Sequence, residues 1–462
     1  MTDNKTTGDT RRRYAVVGTG GRSDFFRSAI EGKYAEHAVI VGYCDNNLGR
    51  LKLAQAASKQ RTGSEPPIYD VNSDPHAFDR MIAETKPDEV IVTSKDCTHH
   101  EYIIRAMELG CDVITEKPMT IDAEKCRGII ETQRRTGRKC RVSFNYRYSP
   151  PRTQVKDLLM KGTIGDVLSV DFHWMLNTHH GADYFRRWHS NKANSGGLMV
   201  HKATHHFDLV NWWLSDVPVS VVGVGKREFY TPETAVRMGL SSHHERCLTC
   251  PEGDKCGFRI DLTSGGLKTL YLNNEEYDGY FRDRCVFRPD IDIEDTMNVI
   301  VTYAGKTTLC YSLNAFSAWE GYTICFNGTK GRLEHTMQES VYISGDGTVP
   351  GAIKKEGTYI RIFPLRDPAY QVDLWTGEGG HGGGDPILLD DIFSPDKKPD
   401  PYLRAADQRS GAYSILIGAA ANLSFATGGP IKIADLVPGL DVPDYPPMPT
   451  RSDPVPMPGR DR

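Results

Sequence analysis

Three histidines and an aspartate crowd the stretch "HKATHHFDLVNWW", as His201, His205, His206 and Asp208. Read as one helix entered through Gly196 and Gly197, it sets His201, His205 and Asp208 at i, i+4 and i+7, near one face. Two histidines at that spacing can grip zinc. The same pair can instead move protons, because imidazole titrates near neutral pH. A second chemical signal is "EKP", Glu116–Lys117–Pro118, at the end of an apolar run. Buried there, a lysine amine can polarise an oxygen or, with its pKa depressed, take a proton. A third is "HHERCLTCPEGDKCGFR", with Cys247, Cys250 and Cys256, followed by Cys285. Its first spacing is the two-residue bite of a zinc knuckle, and His243 or His244 can substitute for Cys285.

These groups need a frame. Tyr14–Val17 reads as a strand, Gly18, Gly20 and Gly21 as a tight turn, and the following residues as a helix. Such a turn lets a phosphate approach the backbone, and the N–H groups opening the helix can hold it. The usual third glycine would fall at Ser23. The next strand ends at Asp45, where a dinucleotide fold places the acid that bonds the ribose hydroxyls. A carboxylate there repels a 2′-phosphate and so favours NAD over NADP. Further alternation follows: a helix at "RMIAETKP", a strand at "DEVIVTS", a helix at "THHEYIIRAMELG" with Thr98 as N-cap and Gly110 past its end, and a strand at "CDVITEKP". The predicted fold is α/β, a Rossmann-type doubly wound parallel sheet that binds ligands at the carboxyl ends of its strands.

"VGTGGR", "THHEYIIRAMELGCDVITEKPMT", "NYRYSP" and "GTIGDVLSV" together resemble the glucose-fructose oxidoreductase / inositol dehydrogenase / MocA (Gfo/Idh/MocA) family, from about Arg13 to about Leu436. The resemblance implies a nicotinamide-binding first domain and a C-terminal α+β domain whose open, mostly antiparallel sheet covers the active site and often builds a homo-oligomer. It implies candidate cofactor contacts at Gly18, Gly20, Gly21, Arg22, Asp45, Thr93, Ser94, His99, Glu116, Lys117 and Asn145. In dehydrogenase members the EKP lysine, an aspartate and a histidine surround the hydroxyl being oxidised. On that pattern Lys117 and His205 are catalytic, and His201 stands where many members carry the aspartate. Candidate substrate contacts are Arg147, His180, Asp183, Tyr184, Arg187, Trp188, Asp208 and His381, the last in a glycine loop that reads as a gate. A branch of the family is similar in the cysteine insert, with a trio followed by a Cys-Val pair. That resemblance implies one structural zinc on Cys247, Cys250, Cys256 and Cys285.

Length and composition bound the rest. A chain of 462 residues exceeds one simple core. The divisions expected are a polar arm over 1–12, an NAD-binding domain over 13–148, a substrate and oligomerisation domain over 149–436 with the insert around 243–285, and a proline-rich tail over 437–462. The tail reads as an extended arm, mobile or laid on another subunit. Sixty acidic against 56 basic residues, with no basic stripe, argue against nucleic acid. No apolar run reaches membrane-spanning length, no secretory signal is visible, and 11 cysteines, an odd number, do not suggest a secreted disulfide framework. A cytoplasmic enzyme is expected. The reading is an NAD-dependent oxidoreductase acting on a small carbohydrate: a sugar, polyol or glycoside. The alternatives are a glycosidase or lyase that uses tightly bound NAD by transient oxidation, elimination and addition, and a non-catalytic NAD-binding sensor.

Overall fold

The structure, a computed structural model, describes residues 9–341, 349–455 and 457. Most of the expected polar arm, residues 1–8, lies outside them.

The apolar runs Tyr14–Val17, Val90–Val92 and Val113–Ile114 are buried throughout. Strands apolar on both faces belong inside a parallel sheet covered on both sides. They sit in a seven-stranded sheet of spatial order Ala406–Asp407, Cys140–Val142, Asp112–Thr115, Glu89–Val92, Arg12–Val17, Ala38–Asp45 and Ile68–Asp70. All its pairs are parallel except Ala406–Asp407, an antiparallel edge contributed from far down the chain. The strand takes in Arg12, which pairs with Glu89 at 3.0 Å. Local capping fixes the helices between strands. Asn47 and Asp122 accept from backbone N–H groups at the starts of Leu48–Thr62 and Ala123–Thr136, and Gly63 and Gly137 end those helices in left-handed conformation. Thr98 does not act as the expected cap. A short turn, Asp96–Thr98, precedes helix His99–Glu108, and the Thr98 hydroxyl donates to Ser94 Oγ and the Lys95 carbonyl instead.

The second sheet has nine strands, in the order Tyr370–Val372, Ile353–Pro364, Gly331–Glu339, Glu320–Gly328, Val167–Asn177, Thr308–Ser317, Thr296–Tyr303, Pro218–Lys226 and Ile431–Lys432. It is antiparallel except where Val167–Asn177 meets Thr308–Ser317. Val170, Phe172, Trp174 and Leu176 alternate inward, as a strand with one covered face requires. The histidine-rich stretch is not one continuous helix. Leu198–His201 ends at Lys202, and a new helix runs from Thr204 to Leu214. Helix Gln408–Thr427 backs this segment closely: a Cβ at Gly418 would stand 2.3 Å from the Met199 carbonyl oxygen.

The first part of the tail packs on its own chain. The Leu440 carbonyl accepts from the Tyr413 hydroxyl at 3.1 Å, that of Val442 from Arg409 at 2.9 Å, and that of Pro446 from Ser215 at 2.7 Å. Among the described residues no helix is long and apolar enough to cross a membrane.

Candidate active site

Strand ends of the parallel sheet open onto a cavity of 580 Å³ whose far wall is built by residues from His180 onward. All eleven candidate cofactor residues line it. Gly18 has φ +83° and lies so close to Ser94 that a Cβ would stand 2.6 Å from the Ser94 nitrogen. At Gly20 the space beyond the backbone is open, which leaves room for a phosphate. Ser23, in place of the third glycine, donates its hydroxyl to the Gly20 carbonyl at 2.7 Å and starts helix Ser23–Ile30. Asp45 accepts from the Thr19 backbone N–H, the Thr19 hydroxyl at 2.9 Å and the Asn47 N–H at 2.9 Å. The carboxylate is thereby aimed before any ribose arrives. Open glycine turn, helix N-terminus and fixed acid together fit a dinucleotide.

Lys117 stands at the end of strand Asp112–Thr115, and its Nζ donates to the His201 carbonyl at 3.4 Å. Burial lowers its pKa to about 8, although Asp96 and Glu116 pull the other way. Glu116 is itself held by Arg22 Nε at 2.7 Å. His201 lines the cavity with Nδ1 on Asp96 Oδ2 at 2.5 Å. Burial drives Asp96 up and His201 down, each toward its uncharged form. His205 lies flat on Tyr146, ring centres 4.3 Å apart. Its Nδ1 is buried with no hydrogen-bond partner among the described residues, and burial, reinforced by Lys117, holds the ring well below its usual pKa. His381 adopts φ 53° in the glycine loop, and its Nδ1 bonds Asp385 Oδ2 at 2.9 Å while Asp385 Oδ1 accepts from Asn145 at 2.7 Å. Burial raises Asp385, but His381, Arg22 and Asn145 outweigh it and keep the carboxyl at about 2.

Of the candidate substrate contacts, His180, Tyr184, Arg187, Trp188 and His381 line the cavity; Arg147, Asp183 and Asp208 do not. Arg147 and Asp208 form a bidentate pair at 2.8 and 2.6 Å, each side chain only 1% exposed. The break at Lys202 removes the single helix face on which Asp208 was expected beside His201. Asp183 bonds Arg282 at 2.6 and 2.9 Å and Arg187 at 3.3 Å, so it positions an arginine of the wall. Among the wall residues that the sequence reading did not single out are Asp96 and His189. The first follows a strand end of the parallel sheet, which is a readable signal.

The four cysteines of the insert border one small cavity with His243 and His244. Cys285 Sγ lies 3.5 Å from His243 Nδ1. Yet among the described residues no group of three or more His, Cys, Asp or Glu side chains is set to hold a metal ion. The expected zinc is therefore not supported; a CxxC bite fixes two ligands and says nothing about whether a third and fourth converge.

Two family models match the chain: the NAD-binding Rossmann fold of the Gfo/Idh/MocA oxidoreductase family over residues 12–144, and its C-terminal alpha/beta domain over 156–433. The chain belongs to this family. It is an NAD-binding oxidoreductase. It is 36% identical over 422 residues to the oxidoreductase YteT of Bacillus subtilis, covering 90% of this chain and 95% of that protein. Over 336 residues it is 26% identical to an inositol 2-dehydrogenase of Serratia proteamaculans, covering 66% of this chain and 89% of that one. Among solved structures it resembles the WlbA dehydrogenase of Bordetella pertussis in complex with NADH and UDP-GlcNAcA, with TM-score 0.59, 17% identity, and coverage of 92% of this chain and 98% of that chain.

Proposed function

We propose that this protein oxidises a carbinol of a sugar or polyol with NAD, with Lys117 as the base. The observation that carries the reading is the Lys117 amine, placed at a strand end of the cavity beside the His201 carbonyl, where burial lowers its pKa to about 8. An amine at its ordinary pKa would be almost wholly protonated at neutral pH and could accept nothing. In the proposed step the carbinol carbon loses a hydride, its hydroxyl loses a proton to Lys117 Nζ, and the C–O bond becomes a carbonyl. Bound NAD supplies the acceptor for the hydride. His205, held neutral, offers a ring nitrogen to the same hydroxyl, and His201 with Asp96 behind it assists. Rings at Tyr184 and Trp188 beside polar His180 and Arg187 suit a carbohydrate, which presents apolar faces and hydroxyl edges. The inositol dehydrogenase and the sugar-nucleotide complex among the relatives support that class.

A second reading rests on His381 and Asp385, which bring another acid–base pair to within 6.1 Å of the His205 ring. In that reading the carbonyl made at the first step acidifies the neighbouring C–H, a proton leaves and a glycosidic bond breaks by elimination. Water then adds, and the hydride returns. A panel of sugars, polyols and aryl glycosides with NAD separates the two. Net NADH formation supports the dehydrogenase; aglycone release without net NADH supports the second reading. No turnover of either kind on any class would overturn both.

A further inference from the structure

One part of the cavity wall comes from neither sheet. Tyr271, Asp278 and Tyr280 belong to the insert, yet all three line the cavity. The segment crosses to the first sheet and is tied down there. The Asn274 carbonyl accepts from Asn47 Nδ2 at 2.8 Å, and the Tyr277 carbonyl from Asn72 Nδ2 at 3.0 Å. Gly49 has no room for a side chain beneath it, because a Cβ there would stand 1.8 Å from Asn274 Oδ1. At one end, the Tyr271 hydroxyl stands 3.3 Å from where a Cβ on Gly21 would be, directly over the glycine turn. At the other end Asp278 pairs with Arg50 on side chains only 7% and 10% exposed, and Arg50 reaches to 3.6 Å from Asp45. The base of the insert is braced by Arg246 on Glu275 and Asp283 and by Arg282 on Asp183.

We infer that Tyr271–Asp278 is part of the dinucleotide site, closing over its adenosine-diphosphate half, and that Asp278 is a specificity residue acting through Arg50. This rests on NAD filling the cavity. An arginine beside the ribose acid is the group that accommodates a 2′-phosphate in NADP-binding folds. Arg50 occupies such a place but is committed to Asp278. The site therefore rejects NADP twice, by the Asp45 carboxylate and by withholding the Arg50 guanidinium. With the segment tied down over that half of the site, NAD should leave slowly and remain with the purified protein.

The test uses the full chain. NAD and NADP are titrated by fluorescence, NAD release is timed after dilution, and bound dinucleotide is quantified by chromatography of the denatured protein. Asp278→Asn should speed NAD release by at least about tenfold and lower the NAD-over-NADP preference by a similar factor. Gly49→Ala, which displaces the segment without touching a charge, should also speed release. Release rates and preference within twofold of the unmodified protein, in variants with normal melting curves, would overturn the inference. Should both variants fail to fold, hydrogen exchange on the unmodified protein decides: NAD must slow exchange across residues 271–278, and no slowing refutes it. NAD failing to bind the unmodified protein at all would instead refute the dinucleotide reading itself.

Discussion

Lys117→Met removes the amine that the proposed chemistry needs while keeping most of the side-chain volume. At pH 7.5 an amine of pKa about 8 is deprotonated in roughly a quarter of molecules, against about one in a thousand at the ordinary 10.5. Burial thus gives the site some two orders of magnitude more free base. The sign follows from the role. Oxidation needs the neutral amine, so kcat/KM should rise with pH, with slope near one in the logarithm, and level off above about 8. Lys117→Met should lower kcat/KM by about 10²–10⁴-fold and abolish that rise. Glu116→Gln, which deletes a carboxylate that raises the lysine, should move the midpoint to lower pH. A substrate-free assay is available in competitive labelling with an amine-acylating reagent at limiting concentration, read by mass spectrometry. Lys117 should become reactive near pH 8. A labelling midpoint near 10.5, or an unchanged pH profile in Lys117→Met, would refute the reasoning.

His205→Ala should lower turnover by about 10²–10⁴-fold with NAD affinity nearly unchanged, since the ring stacks on Tyr146 rather than on the glycine turn; normal turnover would exclude it from the proton path. Asp45→Ala should weaken NAD binding and narrow its advantage over NADP, measured by fluorescence titration with both. Asp208→Ala leaves Arg147 charged and unpaired in the interior, so it should destabilise the fold by about 3–5 kcal/mol in denaturant titration. A stable Asp208→Ala protein with only a raised KM would restore the substrate role expected from its spacing.

What was readable in the sequence was what topology converts directly into place. Gly18, Gly20, Gly21, Asp45 and Lys117 all stand at or just beyond strand ends of one parallel sheet, and the carboxyl ends of such strands converge whatever lies between. What was not readable depends on pairings across long separations. Asp96 meets His201 from 105 positions away, and Arg147 meets Asp208 from 61. Spacing along the histidine stretch brought His201 and His205 to the cavity, but Asp208, beyond the interruption at Lys202 and Ala203, pairs with Arg147 instead. The insert has no apolar period of its own, so nothing in it announces that Asp278 will reach Arg50 across 228 positions.

The placement of helix Gln408–Thr427 bears on how the molecule comes apart. Its N-terminus follows directly from Ala406–Asp407, which pairs with Arg141 and Val142 at the edge of the parallel sheet, while the chain beyond its C-terminus pairs Ile431 and Lys432 with the second sheet. Twenty residues of helix make a strut about 30 Å long with one foot in each sheet. The two halves are therefore interleaved in sequence although distinct in architecture. A fragment ending near residue 144 would leave strand Cys140–Val142 as an uncovered edge with unpaired backbone groups, the kind of surface that recruits other strands. Cooperativity should follow the strut: calorimetry is expected to give a single endotherm, with neither half melting first.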